Sequence, residues 1–149
     1  MQQLHDHVQI TDLVNRLSAC LDRGRFDELG ELVVDDATVS TPGGQAAGRP
    51  ALIAQARRGH PADQAFQHVI SNVLVDVHGD RAEARANAVV HITPAQVAPG
   101  RAQPPPPLCT IGGVYDFEVV RTPEGWRFSR IASVPLWATG TIPAPVPAA

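Results

Sequence analysis

The chain has 149 residues, with 12 basic side chains, 15 acidic ones and a formal net charge of −3. At 44% hydrophobic it can bury one core, and it is too short for two ordinary domains. The charge balance leaves no basic footprint for nucleic acid, and no apolar run reaches the roughly 18–20 residues of a membrane span. Every basic residue is Arg, so Schiff-base chemistry and lysine-anchored pyridoxal phosphate are excluded. There is no GxGxxG fingerprint and no phosphate loop. Cys20 and Cys109 are far apart and make no metal spacing. With no charged-then-apolar leader at the start, they are expected to be buried thiols in the cytoplasm.

The apolar positions Val8, Ile10, Leu13, Val14, Leu17, Cys20 and Leu21 predict a helix over His7–Leu21, ended by Gly24. A shorter helix is expected over Phe26–Val34, broken by Asp35 and Asp36. A strand follows over Ala37–Thr41, closed by Pro42-Gly43-Gly44. A third helix spans Arg49–Arg58, with Pro50 in its first turn and Gly59-His60-Pro61 as its end. The second half reads as β: strands over Phe66–Val77, Ala82–Thr93, Leu108–Arg121 and Trp126–Ala138. Turns at His78–Arg81 and Thr122–Gly125 join the first and last pairs. Pro94–Pro107 is a proline-rich loop with the character of a lid or of a plain surface insertion. Residues 141–149 read as a flexible tail after one domain over 1–140. Helices followed by an antiparallel meander argue an α+β fold with helices on one face of the sheet.

The Gly79-Asp80 turn implies a register for the strands Phe66–Val77 and Ala82–Thr93. With uniform pairing, His68 faces His91, Ile70 faces Val89 and Asn72 faces Asn87. Side chains alternate along strands, so these six share one face, and two opposed imidazoles would titrate as a coupled pair near neutral pH. That is a proton-transfer device; the competing reading is a polar sheet face on which the opposition is accidental, and a bulge would dissolve it. The other face would carry Val69, Val73 and Val75, an uncovered apolar surface that predicts a homodimer. Asp22 lies beside the apolar stripe of the first helix, where a solvated helix end is the plainer account. Tyr115, Trp126 and Trp137 are packing residues in the first instance. His5-Asp6-His7 reads as a mobile terminus, and His60 and His78 as exposed turn residues.

Several motifs in order resemble the SnoaL-like branch of the nuclear-transport-factor-2-like superfamily. They are Leu21-Asp22-Arg23-Gly24-Arg25-Phe26-Asp27, Asp35-Asp36-Ala37, Gly48-Arg49, Gly112-Gly113-Val114-Tyr115 and Val120–Arg127. The resemblance runs from about Val8 to Gly140. It implies a cone-shaped curved antiparallel sheet, with three helices enclosing a pocket, in a dimer. Within that superfamily the ketosteroid isomerase pattern is not matched, because Thr41 and Leu17 stand where its base and tyrosine would be. Scytalone dehydratase is more similar: Asp22, His68 in Gln67-His68-Val69-Ile70, and His91 match its aspartate and two histidines.

The resemblance thus implies a cofactor-independent, metal-free enzyme acting on a small cyclic or polyketide-like carbonyl compound by dehydration, isomerisation or cyclisation. His68 and His91 would be the acid and base, with Asp22 orienting an imidazole. Tyr115, Asn72 or Asn87 would donate to a developing enolate, and Leu17, Ile70, Val89 and Trp137 would contact substrate. The rivals are a non-catalytic binding or assembly module and, ranked lower, an epoxide hydrolase using Asp76 and Arg85.

Overall fold

The structure is a computed structural model and describes residues 1–95, 100 and 103–141. Helix α1 runs Gln2–Asp22 and buries Ile10, Leu13, Val14, Leu17, Cys20 and Leu21. It begins before His7 because Asp6 continues the same stripe and is 3% exposed, whereas Val8 faces solvent. Its end is set by Gly24, at φ 65, which lets Arg25 N–H reach the Cys20 carbonyl and Gly24 N–H the Leu21 carbonyl. The expected second helix is a 3₁₀ turn over Phe26–Glu31, because Val33 and Val34 belong to a strand. That strand, β1 (Val33–Thr41), folds back on β2 (Gly44–Ala47), a short strand absent from the sequence reading. Helix α2 covers Arg49–Gly59, with Pro50 in its first turn as expected.

Four long strands complete the chain: β3 (Gln64–His78), β4 (Arg81–Pro94), β5 (Cys109–Thr122) and β6 (Gly125–Gly140). The sheet order is β2-β1-β6-β5-β4-β3, so it is curved and unclosed, with β2 and β3 as its free edges. All neighbours are antiparallel except β1 and β6, which run parallel. The α+β architecture is therefore the expected one, with that single departure from a pure meander.

The interior lies between the helices and the concave face of the sheet. Strand β4 offers it Ala82, Ala84, Ala86 and Ala88, whose single methyls leave the volume to Ile10, Val14, Phe117 and Phe128. Burying each of the larger side chains is worth roughly 1.5–3 kcal/mol.

One register differs from the expected one. Near the turn His78 pairs with Arg81 and Leu74 with Arg85 as anticipated, but beyond a bulge Ser71 pairs with Asn87, Ile70 with Ala88 and His68 with Val90. Two residues, Asn72 and Val73, there oppose one. Asn72 has φ 53 and is the only non-glycine residue with positive φ among the described residues. Asparagine tolerates that left-handed backbone better than other side chains do. The bulge inverts the phase of β3, so His68 and Ile70 share the concave face with Val73, Val75 and Val77. Val73 and Val75 are thus core residues rather than parts of an outer interface.

The residues 96–99 and 101–102 of the proline-rich loop and 142–149 of the tail lie outside the described residues. The loop's base is knitted by bonds from Ala95 N–H to Asp63 and from Leu108 N–H to Ile92.

Candidate active site

Helix α1 delivers Asp22 as its last residue, above the start of the concave face of β3. A carboxylate at the negative end of a helix is ill placed by the helix dipole alone, and β3 compensates. The His68 backbone N–H donates to both Asp22 oxygens, at 3.0 and 3.1 Å. The His68 ring Nδ1 lies 2.6 Å from Asp22 Oδ1. A carboxylate only accepts, so Nδ1 carries a proton, and Nε2 is the ring nitrogen left without that partner. The His68 side chain is 3% exposed and that of Asp22 25%, so this bond is largely screened from water. His68 Nε2 has no hydrogen-bond partner among the described residues.

Tyr115 comes from β5, opposite Ala86, with its ring stacked on Phe117 at a centroid distance of 5.5 Å. Burial, and next the Asp22 charge, push its hydroxyl up to about 12, so it is a neutral donor or acceptor at pH 7. Ile70 and Leu17 pack into the same interior, Leu17 at 5% exposure.

The remaining expected site residues do not join them. Gln67, not His68, stands opposite His91, so His91 projects from the convex face, where its Nδ1 lies 3.0 Å from Thr110 Oγ1. Asn72 occupies the bulge and Asn87 is exposed. Val89 pairs with Gly112 and Gly112 with Trp137, all on the convex face. Trp137 is half exposed and lies over Gly112, where an added Cβ would sit 2.0 Å from its ring. The Arg85 guanidinium pairs with Asp116 at 2.9 Å on that face too, which removes Arg85 and Asp76 from any epoxide-opening set in the interior.

Two surface hollows, of about 370 and 460 Å³, are lined by Asp76, Glu83, Arg85 and Arg130 and by the β1–β2 region. Neither includes Asp22, His68 or Tyr115. Among the described residues no three His, Cys, Asp or Glu side chains converge as a metal site. No described helix is long and apolar enough to cross a membrane.

Two groups escaped the sequence reading. His60 ends α2 and donates Nδ1–H to the Ala56 carbonyl at 2.8 Å, with its ring centroid 4.5 Å from Phe66 and 5.7 Å from His68. A histidine closing a helix four residues after a free carbonyl was the available signal. Asp6 accepts two bonds from Arg121, at 2.9 and 3.0 Å, and one from the Trp126 indole N–H at 3.1 Å. It is an anchor of α1, not part of a mobile terminus. Its place four residues before Ile10 and seven before Leu13 on the buried stripe was visible.

The family model of the SnoaL-like domain matches residues 2–132. An uncharacterized protein of Mycobacterium tuberculosis is 30% identical over 133 residues, covering 86% of this chain and 84% of that protein. This chain belongs to the SnoaL-like domain family. Solved structures with the same fold include a scytalone dehydratase-like protein of Novosphingobium aromaticivorans, with TM-score 0.79, 23% identity and coverage of 96% of this chain and 92% of that one. A nuclear-transport-factor-2-like protein of the same organism, with a cystatin-like fold, gives TM-score 0.69 at 28% identity over 91% and 84%. A hexachlorocyclohexane dehydrochlorinase gives 0.77 at 18% identity over 98% and 95%. These structural likenesses show that the chain shares their fold.

Proposed function

We propose that the chain is a cofactor-independent enzyme in which His68, oriented by Asp22, moves a proton at a carbon next to a carbonyl of a small cyclic or polyketide-like metabolite. The observation that carries this reading is the 2.6 Å contact between Asp22 Oδ1 and His68 Nδ1 on a buried imidazole whose Nε2 has no described partner. The carboxylate fixes the tautomer and stabilises the imidazolium that forms when Nε2 takes a proton. The neutral Tyr115 hydroxyl can donate to the enolate oxygen as charge develops there. The names of two structural neighbours, a dehydratase and a dehydrochlorinase, denote eliminations, and elimination is the outcome we favour over isomerisation or cyclisation. Relative to the sequence reading, His91 leaves the mechanism, because it lies on the other face of the sheet. We also retain a homodimer, now formed through the convex face, as part of this proposal.

The test is a panel of cyclic hydroxy ketones in D₂O, followed by NMR for α-proton exchange and loss of water. His68→Gln is expected to slow turnover by roughly 10²–10⁴-fold, and Asp22→Asn by less. His91→Ala is expected to leave it unchanged. Equal turnover in wild type and His68→Gln would place the chemistry elsewhere. Tight binding of a ketone without exchange would favour the non-catalytic module.

A further inference from the structure

His60 is the one other imidazole beside His68 among the described residues, and it reaches the site from a different element. Its Nδ1 is committed to Ala56, a carbonyl that can only accept, so the proton sits on Nδ1 and Nε2 is a lone pair. The ring is wedged among Phe26 at 5.8 Å, Phe66 at 4.5 Å and His68 at 5.7 Å, measured between centroids. This apolar setting resists a charge: burial, against the pull of Ala56 and with the opposition of His68, brings the ring down to about 4. His60 is thus neutral at pH 7, while His68 has Asp22 to balance a positive charge. The fully enclosed side-chain polar atoms without a partner are Arg49 Nε and Gln55 Oε1 among the described residues. Nε2 of His60 is not one of them, and it has no hydrogen-bond partner among the described residues.

We propose that His60 is the second imidazole of this site, a positioning residue whose Nε2 accepts a hydrogen bond from a hydroxyl of the ligand held against His68. This rests on the reading of Asp22 and His68 as the proton-handling pair. The two rings divide the work: His68 gains and loses a proton, and His60 remains an acceptor that selects a ligand carrying a donor. Phe26 and Phe66 supply the flat apolar walls that suit a ring.

Phenol and anisole test this, since they share a ring and differ in the donor. Binding is followed by the ring ¹⁵N signals of His60 and His68 and by titration calorimetry. The wild type should prefer phenol by about tenfold, the worth of one hydrogen bond. Phenol, and not anisole, should shift the His60 Nε2 signal. His60→Phe, which keeps a ring among the aromatics, should bring the preference to parity, and His60→Gln, with an acceptor near the same place, should keep part of it. Full preference in His60→Phe, or an unmoved His60 Nε2 signal while His68 responds, overturns the role of His60 and leaves the dyad standing. Signals of both rings unmoved by phenol overturn both readings. If His60→Phe does not fold, the wild-type Nε2 signal alone decides.

Discussion

Asp22 and His68 are forty-six positions apart, and the fold makes them one unit through three contacts to a single carboxylate. Both were legible from short motifs, because each is a local feature of its own element. Their relation to His91 was not, since it depended on the register of a hairpin over its full length. His60 was hidden for the opposite reason: it sits in a turn, and only tertiary packing against Phe66 makes it an interior group. The titrations of His60 and Asp6 each contribute to acid stability. The folded state depresses His60 from 6.5 to about 4, so the unfolded chain binds the extra proton between those values. Stability is therefore full above about pH 6.5 and falls as pH drops towards 4, by on the order of 3 kcal/mol. Asp6 is held down to about 2 chiefly by its bonds from Arg121, so its contribution is lost at lower pH, between about 4 and 2. Chemical denaturation across pH should show two stages of loss, the first removed by His60→Phe and the second by Asp6→Asn.

Among the elements, β3 carries the main lesson about reading this chain. Its interior residues are Phe66, His68 and Ile70, and then Val73, Val75 and Val77. The apolar pattern changes phase between Ile70 and Val73, while β4 keeps one phase through Ala82, Ala84, Ala86 and Ala88. A mismatch of that kind between paired strands is the sequence trace of a bulge, and Asn72 stands where the extra residue must sit. Helix α1, α2 and the four long strands were legible because their patterns are long. The β1–β2 hairpin was not, since Gly44–Ala47 is too short to show a period. The bulge predicts a specific order of stabilities. Asn72→Gly should be neutral or mildly stabilising at this backbone angle. Asn72→Val should cost about 1–2 kcal/mol in urea denaturation, because a β-branched side chain resists positive φ.

For the molecule as a whole, the uncovered surface is the convex face of the sheet. Val69, Leu74, Val134, Leu136 and Trp137 are all about half exposed or more. Around them Arg85 pairs with Asp116 and Arg130 lies near Glu118, so the face carries both signs of charge and can meet a copy of itself. Sedimentation should show a dimer at micromolar concentration, and the double change Val134→Glu with Leu136→Glu should shift it to monomer. A wild type that sediments as a monomer refutes the interface. The opposite danger lies at β3, a fifteen-residue edge whose outward N–H and C=O groups could template another strand. Asp22 closes that edge at His68 by taking its N–H with both oxygens. The same carboxylate proposed to orient a base thus acts as a gatekeeper against strand addition, and selection for solubility and selection for catalysis would converge on one side chain.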